Sequence, residues 1–240
     1  STSLPLVAGE KQSSSPVMKD MISPMENTVY FLPNSDARQS KIYFYIPMGD
    51  YNREENVRRE AFNQYISGGF SGLIMNEIRE KNSMAYTAYG FASSRGLPGA
   101  QTYFSGYIGT QNDKAVDAID LYMKLLTDMP ERPGRIDNIK SYLRQSALTD
   151  HPDSRNLSLR IAEWKRRGYT DDPAKEELPL IDSLTFPDIV DYYQKNIKGK
   201  PIIIGVLGNP KDISIDALKK FGKVIRLNEK KLFNEKDTMF

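Results

Sequence analysis

Apolar and polar positions change period several times along this chain, and the changes mark its elements. Residues up to about 27 are rich in Ser, Pro, Met and Lys and show no period, which predicts a linker or extended arm. Thr28–Leu32 and Lys41–Pro47 then read as strands, with Asn34-Ser35-Asp36 as the turn between them. Tyr43 and Tyr45 alternate with Ile42, Phe44 and Ile46, so both faces of the second strand carry bulk, as an inner strand would. From Arg53 to about Ser67 the residues Val57, Ala61, Phe62, Tyr65 and Ile66 recur at helical spacing, and Gly68-Gly69 ends the stripe. Leu73, Ile74 and Ile78 set a short amphipathic helix that breaks into a strand near Ala85. Met84–Ser93 and Ala100–Thr110, split by Arg95-Gly96-Leu97-Pro98-Gly99, predict a hairpin.

The second half turns helical. Val116, Ile119, Tyr122, Met123 and Leu126 mark one helix over Asp113–Met129, and Ile136, Ile139, Leu143 and Ala147 mark the next after Pro133-Gly134. Asp153 or Ser154 caps a third, with Leu157, Ile161 and Trp164 expected to face inward. Thr185-Phe186-Pro187-Asp188 is a capping-box start with Pro in the first turn, leading a helix to about Asn196. Pro201–Leu207 suits a buried strand, Ile215–Phe221 a short helix and Lys223–Leu227 a last strand. Strands arriving in pairs with helices clustered between them predict an α+β, two-layer domain, its mostly antiparallel β-sheet covered by helices on one face. The expected division is an arm over 1–27, one domain over 28–228 and a charged tail over 229–240.

Composition narrows the classes. At 240 residues, with 39% hydrophobic and 27% charged positions, the chain has the makings of a substantial core. Thirty-three Lys and Arg against 31 Asp and Glu argue against an electrostatically driven nucleic-acid or membrane binder. No apolar run approaches the ~18 residues of a membrane span, and no export signal is expected from the N-terminal pattern. The absence of cysteine excludes disulfides, thiolate metal sites and cysteine nucleophiles. The single histidine, His151, precedes Pro152 and has no second imidazole to complete a zinc pair, so this chain alone is expected to hold no metal.

The most informative run is Gly68 to Tyr86. Arg79 falls in the last turn of its helix and Tyr86 at the start of the next strand, so a cationic fork and a phenol meet at one helix-to-strand junction. Read by themselves, the arginine complements a helix C-terminus and the tyrosine is one of fourteen to be placed, many of them in strands. Gly68-Gly69 is followed by no Lys-Ser/Thr at phosphate-loop spacing and reads as a helix break. Glu77 and Glu80 read as a solvated face or partners of Lys81 rather than an acid/base pair. The basic run Arg155, Arg160, Lys165, Arg166 and Arg167 reads as a charged outer helix face, with an acidic partner as the other reading. Tyr89, Phe91, Tyr103, Phe104 and Tyr107 raise an RNA-binding sheet, and Tyr89-Gly90-Phe91 echoes its core motif, but the basic and aromatic companions that motif needs are missing.

Gly68-Gly69, Ser71, Leu73, Ile78-Arg79-Glu80-Lys81 and Ala85-Tyr86 together resemble the second-half signature of insulinase/pitrilysin-type (M16, inverzincin) zinc metallopeptidases. Ser183-Leu184-Thr185 with Asp188 and Tyr192-Tyr193 resembles that family's late helix start, and Ile202–Gly208 with Leu218–Val224 its closing elements. The resemblance implies the LuxS/MPP-like metallohydrolase fold. It also implies a clam of two homologous halves around an unfolded peptide. One half carries H-x-x-E-H and the zinc; the other has no working metal site and supplies an Arg and a Tyr. On that resemblance Arg79 is the substrate-binding residue and Tyr86 the catalytic one, with no cofactor on this chain and zinc on the partner half, fused or separate. In members that fuse four such domains the Arg/Tyr pair lies in the last. The ending Leu232-Phe233-Asn234-Glu235-Lys236-Asp237 has the look of a natural C-terminus, so a C-terminal domain of a larger zinc peptidase is expected. The other reading within the family is a structural or assembly homologue that cleaves nothing. One departure stands out: the family has Gly-Leu-Ala-Tyr before the strand, and this chain has Ser83-Met84-Ala85-Tyr86.

Overall fold

Six strands form one sheet, β1 (Thr28–Pro33), β2 (Gln39–Asp50), β3 (Thr87–Ser93), β4 (Gln101–Gln111), β5 (Ile203–Gly208) and β6 (Lys223–Arg226), in the order β3-β4-β2-β5-β1-β6. These come from a computed structural model that describes residues 21–150 and 152–229. The predicted arm therefore lies outside the described residues up to position 20, as do His151 and the tail beyond position 229. Three strand pairs are antiparallel (β2 with β4, β2 with β5, β3 with β4) and two are parallel (β1 with β5 and with β6). Among the described residues no helix is long and apolar enough to cross a membrane.

Alternation along β2 decides which face is core. Ile42, Phe44 and Ile46 point to the helical layer and are at most 1% exposed, while Tyr43 and Tyr45 point the other way. The layer is built by α1 (Asn56–Ser67), α2 (Ala115–Thr127), α3 (Ile136–Thr149), α4 (Leu157–Arg166), α5 (Pro173–Ser183), α6 (Phe186–Asn196) and α7 (Ile215–Leu218). Phe62 of α1 packs edge-on to Phe104 at 6.3 Å and against Tyr192 of α6 at 5.4 Å. Tyr122 of α2 stacks on Phe44 at 4.0 Å, and its hydroxyl donates to the Tyr89 carbonyl at 2.9 Å. That approach requires the paired Gly90 and Gly106: a Cβ on either would stand 2.4 or 2.2 Å from the Tyr122 oxygen.

Four expectations change on folding. β1 and β2 are not neighbours, although Asn34 does cap the turn between them through the Asp36 N–H at 2.9 Å. The apolar β5 inserts between them, because a strand with Ile, Val and Leu on both faces gains most from a central place. The helix after Gly72 is π-helical over Met75–Glu80, where an α-helix was expected. Leu157 and Ile161 of α4 are 43% and 38% exposed rather than inward, since α4 is held by charged pairs and no residue of it is buried. α5 is absent from the sequence prediction. Pro173 and Pro179 disguise it, yet Asp172 caps it through the Ala174 N–H at 2.9 Å and Pro173 fits the first turn.

Among the described residues the second face of the sheet stays open. Tyr43 is 52% exposed, and its ring lies 5.1 Å from that of Tyr107, which is 5.3 Å from Tyr89. Phe91 stacks 6.0 Å from Tyr89, and Tyr45 lies 5.8 Å from Tyr103. Of the aromatics first grouped by sequence, only Phe104 turns into the core.

Candidate functional site

Leu73, Ile74 and Ile78 anchor the turn that carries Arg79, each at most 1% exposed. A π-helical stretch adds a residue per turn, and it commonly marks functional positions. Here the widened turn is clamped from outside. Arg132, in the connection between α2 and α3, forms an ion pair with Glu77 and reaches Asn76 Oδ1 at 3.3 Å. Lys81 meets the same Glu77 carboxylate at 2.9 Å, and Asn82 Nδ2 donates to the Glu77 carbonyl at 2.6 Å. The Lys81 pairing expected from the sequence is thus present, and Glu77 is mostly covered, a clamp rather than part of a solvated face. Glu80 stays outward, 3.6 Å from Arg79 Nε.

The chain then reverses at Ser83, the one non-glycine residue among those described with positive φ, at 51°. Its N–H donates to the Arg79 carbonyl at 2.9 Å, and its own carbonyl accepts from Lys114 Nζ at 3.3 Å. The Met84 N–H donates to the Ile78 carbonyl at 2.9 Å, and the Met84 carbonyl accepts from the Thr110 hydroxyl. Tyr86 N–H reaches the Gly109 carbonyl at 2.9 Å, so Tyr86 sits immediately before β3 rather than within it.

These bonds bring Arg79 and Tyr86 to one cavity of about 400 Å³, which Ser83, Gln111 and Lys114 also line. Gln111 Nε2 donates to the Tyr86 hydroxyl oxygen at 3.2 Å. A phenol whose oxygen already accepts keeps its proton for another acceptor. Arg79 is 44% exposed through its side chain and Tyr86 is 55% exposed, so both are accessible to a molecule entering the cavity. Sequence reasoning missed Lys114, Gln111 and Arg132. Lys114 and Gln111 lie next to Tyr86 only through the pairing of β3 with β4, and nothing in their own neighbourhood of the sequence marks them. Among the described residues no three His, Cys, Asp or Glu side chains gather as a metal site.

A family model described as the peptidase M16 inactive domain matches residues 11–133, a span that contains the whole Arg79–Tyr86 junction. The chain belongs to the M16 peptidase inactive-domain family. The resemblance read from the Gly68–Tyr86 run holds, and the fold of this M16 domain agrees with solved relatives. The peptidase M16 inactive domain from Pseudomonas fluorescens superposes with a TM-score of 0.65 at 15% identity, covering 81% of this chain and 47% of that one. The periplasmic protease PqqL from Escherichia coli gives 0.63 at 16% identity, over 83% of this chain and 22% of the other. A chain of complex III2 from Candida albicans gives 0.58 at 13% identity, over 78% and 47%. The M16 domain described here thus spans less than half the length of these solved chains. No curated protein sequence matches it.

Proposed function

We propose that this chain is the non-metal half of an insulinase-like zinc metalloendopeptidase. In this reading Arg79 donates to main-chain carbonyls of an extended, unfolded peptide, and Tyr86 donates to the carbonyl oxygen that gains charge as the peptide bond is attacked. The observation that carries it is the convergence of the guanidinium and the phenol on one open cavity from the two sides of the Ser83 turn. The hydrogen bond from Gln111 supports it by leaving the Tyr86 proton available. The described residues fit no metal site of their own. In this reading the zinc that activates water belongs to an H-x-x-E-H half on the same polypeptide or a separate subunit.

Two further observations support such a partner. The chain spans under half of its solved relatives, and its sheet presents the uncovered aromatic face of Tyr43, Tyr89 and Phe91. The test is reconstitution with the H-x-x-E-H half and turnover of an unstructured fluorogenic peptide. Tyr86→Phe is expected to lower kcat on the order of 10²–10³-fold, and Arg79→Ala to act mainly through KM. Unchanged turnover in both variants would refute the assignment.

The likeness to a complex III2 chain favours one second reading, a structural or assembly homologue that cleaves nothing. In that case the complex assembles but shows no hydrolysis with or without Tyr86.

A further inference from the structure

The sheet edge that runs on from Tyr86 is closed to strand pairing. β3 ends the sheet, yet Asn63 of α1 accepts from the Ala92 N–H at 2.7 Å and donates to the Ala92 carbonyl at 3.0 Å. Ser67, also of α1, accepts from the Gly90 N–H at 2.8 Å. Main-chain groups that would add an incoming strand are therefore already taken. Discrimination among peptides entering the cavity of Arg79 and Tyr86 falls to the side chains that line it.

Ion pairs at this junction use up its carboxylates. Glu77 pairs with Arg132 and Lys81, and Glu80 lies against Arg79. Lys114 is left out. Its Nζ donates to the Ser83 carbonyl at 3.3 Å, and among the described residues it forms no ion pair. Asp113 and Asp117, its closest carboxylates in sequence, do not line the cavity. An ammonium carries three donors, and the Ser83 bond occupies one of them. That bond also tethers the half-buried side chain at the cavity wall, with its remaining donors unmet. Two cations, Arg79 and Lys114, thus line the cavity against the single carboxylate of Glu80.

We propose, resting on the reading of Arg79 and Tyr86 as peptide-binding residues, that Lys114 selects peptides bringing a carboxylate into this cavity, as an acidic side chain or as the C-terminal group. Arg79 and Tyr86 address the main chain, which every peptide has; Lys114 addresses a group that only some peptides place there. A compact ammonium is a point charge without the planar fork of arginine, so it takes a carboxylate from either source. Charge-assisted bonds of this kind are about twice as strong as neutral ones.

The experiment follows the anisotropy of fluorescein-labelled, unstructured peptides on the full chain, alone and with the H-x-x-E-H half. The peptides share one Gly/Ser/Ala sequence with a central Glu, Gln or Lys and an amidated end, and the Gln peptide is also made with a free C-terminal carboxylate. The Glu peptide or the free-acid peptide is expected to bind roughly 3- to 10-fold more tightly than the amidated Gln peptide, and less so as salt rises. Preference for Glu identifies an acidic side chain; preference for the free acid identifies the terminal group. Lys114→Gln should erase the preference and Lys114→Glu should transfer it to the Lys peptide, whereas Lys175→Gln, at an exposed pair with Asp171, should keep it. A merely structural role for Lys114 would weaken all the peptides together without changing their order. Arg79→Ala should weaken them all alike, which tests the peptide-binding reading separately. Binding that depends on Arg79 yet ranks the peptides equally, or a preference that survives Lys114→Gln, would overturn the proposal and leave that reading standing. No binding of any peptide in either state would overturn both.

Discussion

Replacing Ser83 by glycine removes a Cβ from a backbone held at φ 51°, in the left-handed region that L side chains resist. The cost of that conformation for a non-glycine residue is about 1–2 kcal/mol. Ser→Gly also frees the unfolded chain, which takes back roughly 0.4–1 kcal/mol. Ser83 is held through its main chain, by the bonds to the Arg79 carbonyl and from Lys114, and both survive the substitution. The net expectation is a stabilisation of about 0.5–1 kcal/mol. For a chain of this size it appears as a Tm rise of about 1–4 °C. Ser83→Val, with a branched Cβ in the same place, should move Tm the opposite way. Thermal unfolding of the three proteins side by side decides it. A glycine variant less stable than wild type, or a valine variant equal to it, would refute the claim that the turn is strained. The substitution also places a glycine where the pattern that the Gly68–Tyr86 run resembles, Gly-Leu-Ala-Tyr, has one. Because the reversal already has the glycine-like geometry, Arg79 and Tyr86 should keep their places, and on the proposed reading peptide binding in the reconstituted complex should be unchanged.

Gly106→Ala should destabilise by about 2–4 kcal/mol in urea unfolding, since its Cβ would displace Tyr122 and break the bond to the Tyr89 carbonyl. Arg132→Met should loosen the π-helical turn by about 1 kcal/mol, the pair being partly exposed. Amides of residues 78–84 would then exchange about fivefold faster in native-state hydrogen exchange. Burial pushes the Asp188 carboxyl up, but bonds from the Thr185 hydroxyl and N–H and from Arg58 outweigh it and hold the group below its usual value. A depressed folded value stabilises above the unfolded value of about 3.9 and is lost as pH falls through the folded one. Asp188→Asn should therefore lower stability at pH 7 by about 0.5–2 kcal/mol, with the gap to wild type closing under acid, as read from Tm against pH.

Legibility followed the length scale of the interaction. The alternation in β2 and the stripe of Val57, Ala61, Phe62, Tyr65 and Ile66 are local patterns, and both survive as read. α5 escapes a local reading because Pro179 argues against a helix interior, and packing against α3, the Asp172 cap and Pro173 in the first turn outweigh it. Neither the insertion of β5 between β1 and β2 nor the π-helical widening has a local signature. The first depends on which strand best fills a central place, and the second is accompanied by an ion pair from Arg132, more than fifty residues away. For the same reason Arg79 and Tyr86 stood out as a motif, whereas Gln111 and Lys114 had to wait for the β3–β4 register to bring them alongside.

Exposure sets a condition on what this junction does alone. A guanidinium 44% exposed and a phenol 55% exposed work against water, which competes for every hydrogen bond they offer and screens their charge. Two unit charges 4 Å apart interact by about 1 kcal/mol in bulk water and about 4 kcal/mol at the effective dielectric near a protein surface. The same donors therefore gain severalfold once a second surface closes over them. On the proposed reading, the isolated chain binds peptide weakly, with an affinity that falls as salt rises. The closed complex binds more tightly, and Tyr86 contributes to rate only there. Measuring peptide affinity for the chain alone and with the H-x-x-E-H half, at two salt concentrations, separates these. Equal affinity in the two states would mean that the cavity is not enclosed on assembly and that Arg79 and Tyr86 face away from the working surface.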